Sequence, residues 1–476
     1  MTSQAKFPKT AVLKRNTLDF RHAIAMSMAV MSPASAIFFN IIPQAALVGA
    51  AIPLCYVIAF AVSLLVANQF CLLATELPTS GSWYTFVAQG LNPRWGFIAG
   101  WMTLISYGLA PTAVFIIIGF NLHDLIIRWF GLNISWITWF ILAIVSVFGL
   151  CYFGIKRSLQ TDITFLVFEV GVCLWLAFTV LFQLGSKGQL SLVPFKFSEI
   201  SSDAHLFLGV ILAILSFTGF EAAVTLGEEV KKPRQTIPKS VMGSVIIVGI
   251  FYLLMSYVAT VAYGIQDIAK LAQDAAPFDT IARRYGGNFV VFLIDLAGII
   301  SLYAVAVAIV NAGARIFYAI SREGLFPRWL SQIHPRYRTP TNAIFGLCGL
   351  TLVSGISLGL WLTPVVAFSL LGSVGALTAL IIYALVSVAC FRYFWTKRRD
   401  RFHWLRYGIL PLLSVFILGC IGFGTIYPLG SFPLNWAPLI VISWIVLGVG
   451  VLIFLQSIKS EEIQRAGALF ITDETD

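Results

Sequence analysis

Charge is scarce in this chain. Only 11% of its 476 residues are Asp, Glu, Lys or Arg, less than half the ~25% of a soluble domain. A single soluble core stops growing at roughly 250–300 residues, beyond which polar linkers join separate domains, and no long polar linker interrupts this sequence. These absences exclude a soluble enzyme, a disordered protein and a nucleic-acid binder. There is no G-x-x-x-x-G-K-[ST] phosphate loop, which disfavours a nucleotide-driven pump. The five histidines (His22, His123, His205, His334 and His403) fall in tails, loops or helix ends, and none pairs at metal-binding spacing. The seven cysteines all lie inside apolar runs without C-x-x-C spacing and read as buried thiols. No cofactor is expected.

What is present is apolar length. The chain is 59% hydrophobic, and a bilayer core of about 30 Å needs about 20 such residues per helix. Twelve spans fit, at 22–48, 51–76, 96–124, 134–154, 159–184, 205–230, 237–264, 287–318, 342–360, 363–391, 407–428 and 434–457. A short segment from Gly81 to Gly90 reads as an interfacial helix, and the amphipathic stretch Asp267–Tyr285 as a cap on the outer face. The first 21 residues are polar and basic, and the first apolar run is too long for a cleavable signal peptide.

The net charge of +10 acquires a meaning once it is sorted by loop. With the N-terminus inside, 25 of the 31 Lys and Arg residues fall on the cytoplasmic side. That bias predicts cytoplasmic termini at both ends and an even span number. Trp129, Trp136, Trp139, Trp361 and Trp436 fall near the outer interface, as an aromatic belt does. The run Lys397-Arg398-Arg399-Asp400-Arg401 serves as an orientation signal, with anionic lipid as an alternative contact.

Two spans are not smooth. Span 1 carries Ser32-Pro33-Ala34-Ser35-Ala36 at mid-membrane, and span 6 carries Ser216-Phe217-Thr218-Gly219-Phe220-Glu221. Proline removes a backbone donor and clashes with the preceding turn. Spans 1 and 6 are five apart, so they begin the two halves of a five-plus-five inverted repeat. Paired interrupted helices at matching positions point to a transporter's midplane site. A broken helix offers N–H groups and a positive end to a carboxylate, and carbonyls and a negative end to an ammonium.

At span 6 the residues become specific. Phe217-Thr218-Gly219-Phe220-Glu221-Ala222 runs into Glu228-Glu229-Val230-Lys231-Lys232-Pro233, then Ile237-Pro238. Further motifs follow the same order: Glu76-Leu77-Pro78-Thr79-Ser80-Gly81 after span 2, Gly96-Phe97-Ile98-Ala99-Gly100-Trp101 in span 3, and Ala314-Arg315-Ile316-Phe317-Tyr318 to Gly324 after span 8. Together they resemble the amino acid–polyamine–organocation permease superfamily over most of residues 20–400. The resemblance implies an all-α polytopic membrane protein of twelve transmembrane helices with an inverted repeat and broken helices 1 and 6. It implies uptake or exchange of amino acids or amines. One departure stands out: where many members carry G-x-G-I-F at the first break, this chain reads Ala34-Ser35-Ala36-Ile37-Phe38. Alanine approaches a ligand less freely than glycine, which leaves room for an amine without a carboxylate.

Ionisable residues inside spans cost on the order of 3 kcal/mol, so each is a functional candidate. Glu169 stands near the middle of span 5, where some proton-coupled relatives of this superfamily carry a lysine; it is the candidate that titrates with transport or binds a coupling cation. Asp295, eight residues into span 8, is a second coupling candidate facing the outer pathway. Glu221 is expected to bridge the unwound part of span 6 to its neighbours. The expected substrate contacts are Ser32, Ala34, Ser35, Ala36 and Ile37 at the first break, Phe217, Thr218, Gly219 and Phe220 at the second, and Tyr107 and Ser301 at similar depth.

The organisation read from the sequence is a cytoplasmic tail (1–21), a transport core of ten helices (22–391), two further helices (392–457) and a cytoplasmic tail (458–476). The favoured function is a permease of the plasma membrane working by alternating access. Its partners are a small amino acid or amine, a coupling proton or sodium ion, and membrane lipid, with no nucleic acid. A channel-like facilitator and a nutrient sensor built on a transporter fold remain alternatives.

Overall fold

The structure is a computed structural model that describes residues 13–197, 203–427, 432–458, 464 and 467. Most of both expected tails lies outside the described residues. Ten helical stretches are long and apolar enough to cross a bilayer, and a shorter apolar helix, Trp136–Tyr152, adds one more. The first stretch, Phe20–Glu76, has 57 residues. That length is about 85 Å of helix against ~30 Å of hydrocarbon. It turns back at Gly49, whose φ is +58°, and so crosses twice. The described residues therefore make twelve crossings, as the apolar runs predict.

Span 1 is Phe20–Met31 with Pro33–Val48, span 2 is Ile52–Glu76, span 3 is Pro93–Phe130 and span 4 is Trp136–Tyr152. Span 5 is Ile155–Ser186, span 6 is Asp203–Leu215 with Phe220–Leu226, span 7 is Pro233–Tyr263 and span 8 is Asn288–Arg322. Spans 9 to 12 are Thr341–Trp361, Pro364–Lys397, Trp404–Ile426 and Trp436–Ile458. An even number of crossings puts both ends of this set on one face, the terminal face; the other is the far face. Span 2 packs along span 7, and span 5 along span 8. Spans 11 and 12 lie at the edge and expose Phe416, Phe423, Val446 and Phe454, as lipid-facing helices do.

The short segment expected at Gly81–Gly90 is a helix, Trp83–Gly90, whose Trp83, Tyr84 and Phe86 are buried between spans 3 and 10. Its sequence is apolar on nearly every side, and such a helix buries itself. The Trp83 indole N–H finds the Thr103 hydroxyl at 3.0 Å. The stretch after span 7 forms two short helices, Ile268–Gln273 and Pro277–Gly286, on the far face. All seven cysteines are free thiols, six of them buried.

The terminal face is closed by ion pairs between motifs that are distant in sequence. Arg315 and Glu229, both with fully buried side chains, meet at 2.5 Å. One helical stretch further along span 8, Arg322 meets Glu228 at 2.9 Å. Burial works against the Glu228 charge, but the Arg322 guanidinium and the Ser80 hydroxyl hold its carboxyl below the usual range. Arg398 from the cationic run pairs with Glu76 at 2.8 Å. The backbone contributes too: Thr17 and Leu18 donate to the Glu229 carbonyl at 3.0 and 3.1 Å, and Lys231 donates to Leu18 at 2.9 Å. The entry to span 1 is thereby stitched to the exit from span 6.

Removing one partner of a buried ion pair strands the other charge, at a cost of about 3–5 kcal/mol. Glu229→Ala is therefore expected to lower the melting temperature of the solubilised protein sharply, while Glu229→Leu combined with Arg315→Met recovers most of the loss. Thermal unfolding followed by size-exclusion chromatography checks this; a single variant as stable as the parent contradicts it.

Candidate functional site

The two helix breaks meet at the centre of the bundle. In span 1 the break is Ser32, in the left-handed region at φ +53°, and Pro33 opens the second half-helix. Proline suits a first helical position because its missing N–H is one that has no partner there anyway. In span 6 the break is at Gly219, with φ +108°. A β-carbon there would lie 2.4 Å from the Val30 side chain of span 1, so the glycine is required both by its backbone angle and by the contact between the two breaks.

Backbone groups freed by a break need partners, because lipid supplies none. The Tyr252 hydroxyl of span 7 lies 2.5 Å from the Met31 carbonyl and 2.9 Å from the Ser216 carbonyl, and so ties both breaks at once. Ser27 of span 1 donates to the Phe220 carbonyl at 2.5 Å and accepts from Ala223 N–H at 3.1 Å. The Glu221 carboxylate accepts from Gly219 N–H at 3.1 Å, from the Tyr383 hydroxyl of span 10 at 2.6 Å and from the Tyr107 hydroxyl of span 3 at 3.2 Å. Tyr107 itself stands on a single π-helical turn, Leu104–Leu109, a distortion common at functional sites.

The opposite side of the site is built on span 5. Glu169 is fully buried midway along that helix, and its Oε2 accepts from Ala34 N–H at 3.3 Å. Ser35 N–H donates to the Ser301 hydroxyl of span 8 at 3.3 Å, and Ser301 lies 3.0 Å from the Ser32 hydroxyl, which also bonds Ser35. The free N–H groups at the positive end of Pro33–Val48 thus already face a carboxylate of the protein itself.

The structure brings together Ser32, Ala34, Ser35, Ser301 and Glu169 on one side, and Gly219, Phe220, Glu221 and Tyr107 on the other. Four candidates fall elsewhere or turn away. Phe217 packs between Phe60 and Tyr252, at ring centroids 6.1 and 5.2 Å away. The Thr218 hydroxyl donates to its own span, to Leu215 O at 2.8 Å. Ile37 is buried in the core. Asp295 lies well outside the breaks. Ala36 is half-buried beside Ser35.

Above Ser35 a vestibule of about 720 Å³ opens toward the far face. Phe38, Phe39, Phe120 and Phe368 line its middle and Asp124, Arg128, Asp279 and Asp295 its rim. Arg128 reaches Asp279 at 2.8 Å and Asp295 at 3.2 Å and also bonds Asp124. The Trp129 indole N–H donates to Asp295 at 3.1 Å. Burial and the neighbouring Asp295 carboxylate push the Asp279 carboxyl up to about 6, against the pull of Arg128.

Three tyrosines of this centre, and one aspartate beyond it on span 5, were not singled out from the sequence. Tyr56, Tyr252 and Tyr383 sit deep in apolar spans, where a hydroxyl demands a partner; that demand was the available signal. Asp162 is fully buried on span 5, seven residues before Glu169, and the two share one helix face by spacing.

A polar centre at two opposed breaks, open to one face and closed to the other by buried ion pairs, defines a multi-pass membrane transporter of the inverted-repeat class. The chain belongs to the amino acid permease family, whose profile matches residues 18–455. A branched-chain amino acid permease of Bacillus subtilis, BcaP, is 26% identical over 358 residues, covering 72% of this chain and 73% of that protein. A low-affinity putrescine importer of Escherichia coli K12, PlaP, is 26% identical over 422 residues, covering 86% of this chain and 88% of that protein. A serine/threonine exchanger of Bacillus subtilis, SteT, is 25% identical over 289 residues, covering 59% of this chain and 63% of that protein.

The raised Asp279 carboxyl carries a signed consequence. An acid whose folded value exceeds its unfolded 3.8 binds its proton earlier in the folded state, so stability grows as pH falls from above 6 toward 4. Asp279→Asn is expected to remove that component: the melting temperature of the parent relative to the variant rises between pH 7 and pH 4. A difference that is flat across this window contradicts the assignment.

Proposed function

We propose that the protein moves amino acids or small amines across the plasma membrane by alternating access, that both termini are cytoplasmic, and that a proton bound at Glu169 couples the cycle. The observation that carries this reading is the Glu169 carboxylate seated on Ala34 N–H, at the positive end of the half-helix Pro33–Val48. That end is the natural seat for an anion. A substrate carboxylate and an ionised Glu169 compete for the same donors, and two like charges a few ångströms apart repel strongly in a dry interior. A substrate carboxylate therefore enters when Glu169 carries a proton. An amine without a carboxylate does the reverse and uses ionised Glu169 as its counter-ion.

A proton is taken as the coupling ion because the Glu169 carboxyl can carry it directly; sodium, to which the nearby Ser32, Ser35 and Ser301 hydroxyls offer oxygens, is the outcome that the sodium-gradient arm below would reveal. The excess of Lys and Arg on the terminal face supports placing that face in the cytoplasm. The vestibule then opens outward and the Glu229–Arg315 closure faces inward.

Purified protein in liposomes, offered labelled leucine, serine and putrescine with and without proton and sodium gradients, tests the reading. Saturable uptake of at least one compound is expected. Uptake of a carboxylate-bearing compound rises toward acid pH and uptake of putrescine toward alkaline pH. Glu169→Gln flattens either profile and lowers gradient-driven accumulation roughly tenfold, the ratio that ~1.4 kcal/mol of coupling carries. No saturable uptake or exchange across the panel overturns the transporter reading; an unchanged pH profile in Glu169→Gln overturns the coupling role.

A further inference from the structure

Asp162 has no role in the site described above, yet its burial calls for one. Its side chain is fully buried in span 5, and neither carboxylate oxygen has a hydrogen-bond partner among the described residues. A carboxylate in that condition costs several kcal/mol unless a proton or a cation joins it. Glu169 stands seven residues further along the same face, about 10.5 Å away along the helix axis, and its Oε1 is likewise without a partner. Both orphaned groups lie on the face of span 5 that packs against spans 1 and 8.

The surroundings of Asp162 lead toward the terminal face. One turn nearer that face, Ser158 accepts from the Asn311 side chain of span 8 at 3.0 Å. Asn311 in turn accepts from Arg315, through its backbone carbonyl at 2.9 Å and its side chain at 3.3 Å. Arg315 is the buried cation of the terminal-face closure. In order along spans 5 and 8 from the first break toward the terminal face stand Glu169, Asp162, Ser158 with Asn311, then Arg315 with Glu229. The titratable groups facing Asp162 are Glu169 on its own helix, Cys151 from span 4 and Tyr303 from span 8; Tyr252 of span 7 faces Glu169. No group of three or more His, Cys, Asp or Glu side chains that could hold a metal ion occurs among the described residues. A proton needs only one oxygen.

We propose that Asp162 is a second proton-carrying group, which receives the coupling proton from Glu169 and passes it to the terminal face. Asp162 carries a proton at rest. As the terminal face opens, its O–H bond breaks and the proton passes to water beside Ser158 and Asn311, leaving the Asp162 carboxylate. The Glu169 O–H bond then breaks, its proton crosses through the admitted water and a new O–H bond forms on Asp162, and Glu169 is left ionised and ready to rebind Ala34 N–H. The proposal rests on the coupling role of Glu169 given above.

The test uses the full chain in liposomes, with labelled leucine and putrescine as probes and a trapped pH dye. Two readouts are compared: exchange at equal pH, which needs no net proton movement, and proton movement coupled to net uptake. Asp162→Asn is expected to keep exchange within about twofold of the parent while losing at least about tenfold in coupled proton movement. Asp162→Glu restores coupling, because it returns a carboxyl to the same place. Infrared spectra of parent and Asp162→Asn in the absence of any substrate are expected to differ by one protonated-carboxyl band that disappears on alkaline titration. Full coupled proton movement in Asp162→Asn overturns the proposal, as does equal loss of both readouts in a variant whose melting temperature matches the parent. Normal coupling in Glu169→Gln together with its loss in Asp162→Asn would sink the role given to Glu169 and leave Asp162 as the sole carrier.

Discussion

The constraint on which this structure depends is the backbone freed at two helix breaks in the middle of a bilayer. Every N–H and C=O there must find a partner inside the protein. The partners come from helices on all sides. Tyr252 of span 7 holds carbonyls of both breaks. Ser27 joins span 1 to span 6. Glu221, held by tyrosines of spans 3 and 10, closes the left-handed turn at Gly219. Glu169 of span 5 takes the donor at Ala34. The first three sets are neutral or internally satisfied and serve as scaffold. The last is a carboxylate on a positive helix end, and in the proposed function it is the contact that a substrate carboxylate or a proton exchanges with.

That exchange can occur only if the two faces differ, and they do. On the far side, a vestibule of about 720 Å³ reaches down to Ser35. On the terminal side, the paths are filled by Arg315 with Glu229 and Arg322 with Glu228. Desolvating such charges costs several kcal/mol per ion, and their attraction and hydrogen bonds must offset it. A closure built this way is specific about its partners, yet it is not strongly favoured over an opened state in which water reaches both charges. Thr17 and Leu18 are bonded to Glu229 and Leu18 to Lys231, so the start of span 1 and the end of span 6 are tied together beside that closure.

Much of this was legible in the sequence, for local reasons. Apolar length gave the twelve crossings, since each is decided by some 20 neighbouring residues. Pro33 and Gly219 marked the breaks because each has a backbone preference of its own. Glu169 stood out as a lone charge at depth. What stayed hidden was mostly pairing across long stretches of chain. Met31 and Tyr252 are 221 residues apart, and Glu229 and Arg315 are 86 apart; nothing in either segment names the other, although both members of the second pair lie in family motifs. The helix Trp83–Gly90 was legible as a short element, while its burial against span 10 joins distant parts of the chain. Asp162 was legible too: it falls inside the apolar run 159–184 and repeats Glu169 at an interval of seven.

The central claim is that substrate and proton meet at one carboxyl, Glu169. The direct measurement is the number of protons taken up or released when substrate binds to the solubilised protein in weakly buffered solution. For a carboxylate-bearing substrate the account predicts uptake of one proton per binding event near the pH where Glu169 is ionised, and none in Glu169→Gln at saturating substrate. Binding to the parent protein with no proton exchanged at any pH would contradict it.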